Sequence, residues 1–215
     1  MSRIAIKICG LSTPETLDAA IGAGASHVGF VHFAKSPRHV EAEQLAALAR
    51  RVPGHVAKVG VMVEPEDALL DLILRAGSLD AVQLHGKEPP ERVAALRARF
   101  PQIRFWKAVP VKTAADIAAA DRYRDAADLI LFDARTPDGA DLPGGMGLRF
   151  DWTLLQGRPP AGPWGLSGGL DPANVGQAIR LTGAPLVDIS SGVESAPGIK
   201  DVDKIVAFCN AVLQC

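Results

Sequence analysis

The sequence predicts an α/β fold, a single (β/α)8 TIM barrel spanning residues 1–215, and two observations carry that expectation. Short apolar runs alternate with amphipathic or alanine-rich stretches from end to end of the chain, at about 27 residues per unit and with no linker or break in composition. Most of the apolar runs are continuous rather than alternating, which is how strands buried on both faces of a parallel sheet read. A doubly wound open sheet is the alternative architecture.

Taken in order, the expected strands are Ile4 to Ile8, His27 to Phe33, Ala57 to Val63, Ala81 to Leu84, Arg104 to Ala108, Leu129 to Phe132, Trp164 to Leu166 and Leu186 to Ile189. Helical segments are expected at Pro14 to Ala23, Ala42 to Arg51, Pro65 to Ala76, Pro89 to Phe100, Ala114 to Tyr123, Trp152 to Leu155, Pro172 to Leu181 and Asp201 to Leu213. Thr13 before Pro14 and Asp171 before Pro172 read as an N-cap followed by a first-turn proline. Gly24, Gly54 and Gly77 fall where helices should stop.

Composition narrows the function classes. A chain of 215 residues with 48% apolar content can bury a large core. A formal net charge of −1 supplies no basic stripe for a nucleic-acid backbone and no cluster for anionic lipid, so neither partner is expected. Three cysteines, Cys9, Cys209 and Cys215, show no CxxC spacing, so neither a disulfide framework nor a zinc site is suggested. The amino-terminal segment reads as a strand carrying Arg3 and Lys7 rather than as a signal peptide, and no run approaches the roughly 20 apolar residues of a membrane span. A cytoplasmic location is the expectation; the pattern leaves the oligomeric state open, a monomer being favoured.

In a (β/α)8 barrel the active site lies at the C-terminal ends of the strands. Those ends hold Cys9, Phe33 through Arg38, Glu64, His85, Val109, Asp133, the glycines after Leu166, and Ser190 with Ser191. Cys9 closes the run Ile4-Ala5-Ile6-Lys7-Ile8 and is followed at once by Gly10, which places a thiol toward a pocket. Asp133 repeats that arrangement after Leu129-Ile130-Leu131-Phe132. One potential base and one potential acid, each at a strand end, suggest proton-transfer chemistry. Gly168-Gly169 after strand seven and Ser190-Ser191-Gly192 after strand eight would let backbone N–H groups approach an anion, with a short helix near Ser191 adding its positive end. In barrels this pair of loops commonly holds a phosphate.

Seven motifs resemble, in order, the family of phosphoribosylanthranilate isomerase, an enzyme of tryptophan biosynthesis. They are Lys7-Ile8-Cys9-Gly10, Ser36-Pro37-Arg38, Val82-Gln83-Leu84-His85-Gly86, Leu131-Phe132-Asp133, Gly144-Gly145-Met146-Gly147 leading to Phe150-Asp151-Trp152, Leu166-Ser167-Gly168-Gly169-Leu170, and Asp188-Ile189-Ser190-Ser191-Gly192-Val193-Glu194 ahead of Gly198-Ile199-Lys200-Asp201. The resemblance covers nearly the whole chain. It departs from the family pattern at Met146 and Leu148, where polar residues are common, and at His32 and Ala34, in a segment that is often more aromatic.

The resemblance implies an Amadori rearrangement of a phosphorylated aminoaldose to an aminoketose. It implies Cys9 as general base, Asp133 as general acid, Arg38 for the anthranilate carboxylate through a bidentate fork, His85 and Asp188 for substrate binding, and Gly168, Gly169, Ser191 and Gly192 for the phosphate. No metal and no organic cofactor is implied, because the substrate's own nitrogen serves as electron sink. A free aspartate and a free cysteine titrate near pH 3.9 and 8.5, so an acid and a thiolate base working together at neutral pH need an environment that moves the two toward each other. Cationic groups near the thiol are the expected means. Cys209 and Cys215 are expected to have no catalytic role.

Two other readings share the phosphate loops. Another phosphosugar-processing barrel would need metal ligands or a catalytic lysine, and Lys7 is the only lysine at an early strand position. A noncatalytic phosphosugar-binding barrel would have no need for Cys9 paired with Asp133.

Overall fold

A computed structural model describes residues 4–137, 139, 142, 144–157 and 162–215. Eight parallel strands close into a barrel in sequence order: β1 (Ala5–Cys9), β2 (His27–Val31), β3 (Ala57–Met62), β4 (Ala81–Leu84), β5 (Arg104–Val111), β6 (Leu129–Ala134), β7 (Trp164–Leu166) and β8 (Leu186–Ile189). The open-sheet alternative is therefore excluded. β1 closes on β8 through four registered pairs, Ala5 with Leu186 to Ile8 with Ile189. β7 meets β8 through the single pair Leu166 with Val187.

The helices are α1 (Pro14–Gly22), α2 (Ala42–Ala49), α3 (Asp67–Gly77), α4 (Pro90–Arg99), α5 (Ala114–Ala119), α6 (Val175–Thr182) and α7 (Val202–Leu213). Their inner faces pack on the outside of the strands to form the main core, which includes Leu17, Leu45, Leu70, Val93, Ala178 and Phe208. One start follows its sequence signal and two more are capped in the same manner. Thr13 Oγ1 accepts the Thr16 N–H ahead of α1, Thr113 and Asp116 form a capping box on α5, and Asp201 Oδ1 accepts the Lys204 N–H on α7.

The structure corrects several boundaries. Asp171 does not cap a helix beginning at Pro172. Its carboxylate accepts the N–H groups of Ala173 and Asn174 in a turn, and α6 starts only at Val175. Ser78, not Gly77, takes the left-handed stop of α3, with φ of 43°. Gly77 is small for packing, since a Cβ there would lie 2.7 Å from Leu79 Cδ2. α2 ends at Ala49, well before Gly54, and the segments Ala120–Tyr123 and Trp152–Leu155 are single 3-10 turns. A small hairpin, β9 (Glu194–Ala196) with β10 (Ile199–Lys200), follows β8.

Inside the barrel a second apolar cluster joins Val59, Ala81, Trp106, Leu131 and Leu186. It plugs the end at which the strands begin. Toward the end at which they finish, polar groups replace it, and the loops there surround a cleft.

Candidate active site

The cleft is lined by Cys9, Arg38, His85, Asp133, Gly168, Gly169, Asp188, Ser191 and Gly192. All nine residues expected at the site thus meet in one place, although they come from six different strand ends. Cys9 is the last residue of β1, and Asp133 lies within β6 rather than after it, because β5 runs on to Val111 and keeps pairing, Pro110 with Asp133 and Val111 with Ala134. Both groups are fixed by the barrel's own ladder.

Asp133 is buried, at 6% exposure. Its Oδ1 accepts the Ala134 N–H at 2.9 Å, and its Oδ2 lies 3.1 Å from His85 Nε2. Behind the imidazole, Gln83 Nε2 sits 3.2 Å from His85 Nδ1. With the amide in that orientation Nδ1 accepts, Nε2 carries the hydrogen, and the ring donates to Asp133. Gly144 lies directly over this pair, since a Cβ there would be 2.8 Å from both Asp133 Oδ2 and His85 Nε2.

Cys9 faces the cleft beside Val31, Val61 and Phe33. The structure corrects the expectation that neighbouring cations bring the thiol below its ordinary range. Burial pushes Cys9 up, Lys7 and Lys200 pull it down, Asp188 opposes them, and the net direction is upward. Asp188 is itself buried and raised by burial, against the opposing pull of Lys7, whose ammonium donates to Asp188 Oδ1 at 2.9 Å.

Arg38 is buried at 5% exposure, which disfavours a merely solvated role. Its fork is already engaged: Nε donates to Glu194 Oε1 at 2.7 Å and Nη2 to Glu194 Oε2 at 2.8 Å and to Gly145 O at 2.9 Å. The bidentate edge expected to meet a ligand carboxylate is therefore taken by Glu194, and Nη1 is the part of the guanidinium left toward the cleft. Lys200 Nζ completes the cluster at 2.6 Å from Glu194 Oε1. Burial would raise Glu194, yet the hydrogen bonds and charges of Arg38 and Lys200 outweigh it and hold the carboxylate below its usual range.

Gly168 and Gly169 adopt φ of 85° and 66°, a left-handed backbone that β-branched or bulky residues resist. A Cβ at Gly168 would lie 2.5 Å from the Ala134 nitrogen, so the turn can approach β6 only as glycine. Among the described residues no acceptor pairs with the backbone N–H of either glycine. The helix expected near Ser191 is one 3-10 turn, Ser191–Val193, so backbone N–H groups rather than a helix dipole are what this loop offers. Met146 and Leu148 line the cleft at 48% and 38% exposure, which gives its outer wall an apolar face.

A further ion pair stiffens the rim. Lys107 Nζ reaches Glu88 Oε2 at 2.9 Å and the carbonyls of Leu84 and Gly86, while Glu88 Oε1 accepts the Glu64 N–H at 2.8 Å. This ties the chain leaving β3 and β4 to the middle of β5.

Sequence reading missed Gln83, Glu194 and Lys200 as site residues, although all three stand in the quoted motifs. Gln83 precedes His85 by two, which on a strand puts both on one face. That spacing was the available signal. The reach from Arg38 to Glu194, across 156 positions, left none.

The model of the family N-(5'-phosphoribosyl)anthranilate (PRA) isomerase matches residues 6–211. The chain belongs to the phosphoribosylanthranilate isomerase family. A relative from Zymomonas mobilis subsp. pomaceae, named N-(5'-phosphoribosyl)anthranilate isomerase, is 56% identical over 206 residues, covering 96% of each chain. The enzyme of that name from Paramagnetospirillum magneticum is 51% identical over 208 residues, covering 97% of this chain and 96% of the relative. Among solved structures, phosphoribosyl anthranilate isomerase from Thermotoga maritima superposes with a TM-score of 0.87 at 36% identity, over 99% of this chain and 100% of that one. A phosphoribosyl anthranilate isomerase solved in complex with reduced 1-(o-carboxyphenylamino)-1-deoxyribulose 5-phosphate superposes with a TM-score of 0.84 at 35% identity, over 99% and 100% of the two chains. This chain is accordingly an isomerase of tryptophan biosynthesis built on a TIM barrel. No helix among the described residues is long and apolar enough to cross a membrane.

Proposed function

We propose that this chain converts N-(5-phosphoribosyl)anthranilate to 1-(2-carboxyphenylamino)-1-deoxyribulose 5-phosphate with Asp133 as general acid and Cys9 as general base. The observation that carries this assignment is the lining of one cleft by a strand-held carboxyl, a strand-held thiol and two glycine-rich turns whose N–H groups have no acceptor among the described residues.

The turns at Gly168-Gly169 and Ser191-Gly192 take the phosphate, which sets the register of the sugar across the barrel mouth. Asp133 delivers a proton from Oδ2 to the ring oxygen as the C1–O bond breaks, and the nitrogen lone pair forms the iminium. Oδ1 remains anchored on the Ala134 N–H, and His85 faces the oxygen that loses the proton and stabilises the carboxylate formed. The thiolate of Cys9 then removes the C2 proton. The C–H electrons flow into the iminium to give an enolamine, and the sulfur carries the proton. Tautomerisation of the enol gives the ketone. Arg38 meets the anthranilate carboxylate through Nη1, with Glu194 holding the guanidinium plane fixed. Met146 and Leu148 cover the aromatic ring.

The test is turnover of purified protein with the labile substrate, followed by loss of anthranilate-type fluorescence. Catalytic loss that survives dialysis against a strong chelator is the expected result. No acceleration over the spontaneous rate would overturn the assignment, and a rate abolished by chelation and restored by a divalent cation would favour a metal-dependent phosphosugar enzyme.

A further inference from the structure

The proton transfers above make no use of Lys7, yet this lysine is fully buried, at 0% exposure, where a charge is costly unless it is paired. It stands two residues before Cys9 on β1, so the pleat turns both side chains into the barrel. Its ammonium spends one donor on Asp188 Oδ1 at 2.9 Å, and among the described residues no second nitrogen or oxygen accepts from it. An ammonium has three donors. The space at Gly29, paired with Cys9 on β2, shows where the others can go: a Cβ there would sit 2.9 Å from Cys9 Sγ and 3.2 Å from Lys7 Cε. The thiol and the end of the lysine stem thus lie together in room that only a glycine leaves.

Lys200 is the other cation near the thiol, but its donors are committed to Ser190 O at 2.9 Å, Ser190 Oγ at 3.2 Å and Glu194 Oε1 at 2.6 Å. Lys7 alone has donors to spare for sulfur.

We propose that Lys7 is a positioning residue for the isomerisation: anchored by Asp188, its ammonium is the counter-ion that Cys9 gains as its proton leaves, and it fixes the pH at which Cys9 becomes a base. This rests on the reading of Cys9 as the base. The groups facing the thiol are Lys7 from its own strand, Asp188 from β8 and Lys200 from β10. Behind them, His85 and Asp133 face Asp188, His27 of β2 faces Lys7, and Arg38 and Glu194 face Lys200. Lys7 exerts the larger downward pull of the two lysines on the thiol. Attraction to Asp188 and Cys9 outweighs the burial that would discharge Lys7, so the ammonium keeps its proton across the working range. Ionisation then exchanges a lysine shared with one carboxylate for a lysine shared between carboxylate and thiolate, and the released proton goes to solvent through the cleft.

The experiment measures Cys9 ionisation without substrate, as the pH dependence of iodoacetamide alkylation, with mass spectrometry separating Cys9 from Cys209 and Cys215. Lys7→Met keeps the stem and removes the charge, and Asp188 can relieve its own unpaired charge by taking up a proton. The alkylation midpoint should rise by at least about one pH unit, a tenfold loss of thiolate at fixed pH. The ascending limb of kcat/KM should rise with it, and Lys7→Arg should recover most of the shift. A lysine that merely fills space would move neither midpoint, so an unchanged midpoint in folded Lys7→Met overturns the proposal. Where Lys7→Met does not fold, the pair Lys7→Met with Asp188→Asn, which leaves no orphaned buried charge, decides: its midpoint should lie above that of Asp188→Asn alone, and equal midpoints overturn the proposal. The base assignment fails separately, by near-normal turnover of Cys9→Ser with the alkylation shift still present.

Discussion

The two ends of the barrel interior are made from the same strands and behave as different materials. Where the strands begin, Ala81, Leu131 and Leu186 join Val59 and Trp106 in a dry apolar plug. Two residues further along the same inward faces stand Gln83, Asp133 and Asp188, all buried and all polar. One pleat repeat converts packing into chemistry. The lesson is that the strand's period of two lets a single face carry a stabilising residue and a functional residue in succession, with the first holding the second in place.

If that division is real, substitutions at the two ends should separate activity from stability. The largest effect is expected at the functional end. Cys9→Ser and Asp133→Asn should each lower kcat by about 10²- to 10⁴-fold, the range for lost general acid or base catalysis, while thermal unfolding stays close to the parent. Near-normal kcat in either variant, measured by the fluorescence assay, would remove that residue from its role.

At the plugged end, Leu131→Ala should cost about 2–5 kcal/mol in denaturant unfolding, the usual range for a buried leucine, with kcat per folded molecule little changed. A large fall in kcat without loss of stability would show that the two ends are not separable.

His27 sharpens the comparison through pH. Its ring packs edge-on against Trp106 at 5.3 Å, and burial first, then the charges of Lys7 and Arg104, lower its pKa from 6.5 to about 4, with Asp80 opposing. A folded value below the unfolded one means that the neutral ring stabilises the fold. That contribution is complete above pH 6.5 and is lost as pH falls toward 4. It amounts to about 2–3 kcal/mol after discounting for the partly exposed ring. Unfolding titrations from pH 7 to 4 should therefore show a steeper loss in the parent than in His27→Gln, and identical slopes would count against the burial argument.

The smallest effect is expected at the anion loops. Ser191→Asp places a carboxylate in the proposed phosphate subsite without forcing a left-handed backbone, as a substitution at Gly169 would with φ of 66°. Binding of a phosphorylated product analogue should weaken by at least about tenfold by calorimetry, with Ser191→Ala much closer to the parent. Equal affinities would take Ser191 out of the subsite.

The barrel was legible in the sequence because continuous apolar runs announce strands covered on both sides, and Cys9 and Asp133 stood out because each interrupts such a run before a change in chain direction. Lys7 and Gln83 were harder to see for the same reason: in a strand apolar on both faces, period-two alternation is hidden and the inward face cannot be told from the outward one. The Arg38 to Glu194 pairing was invisible because it joins the second loop to the last hairpin. β9 and β10, at three and two residues, are too short to leave a pattern. Asp171-Pro172 misled because a carboxylate that accepts two backbone N–H groups serves a free-standing turn as well as a helix start.

The sparse meeting of β7 with β8 gives the barrel a seam. Elsewhere neighbouring strands share three or more registered pairs, whereas here a single pair joins them, and the loops that follow these two strands carry Gly168-Gly169 on one side and Ser191-Gly192 on the other. A phosphate gripped from both sides would act as a clasp across that gap, supplying from the ligand the cross-strand bonding the backbone omits. The same contact that orients the sugar would then tighten the hoop of strands on which the acid and the base are mounted.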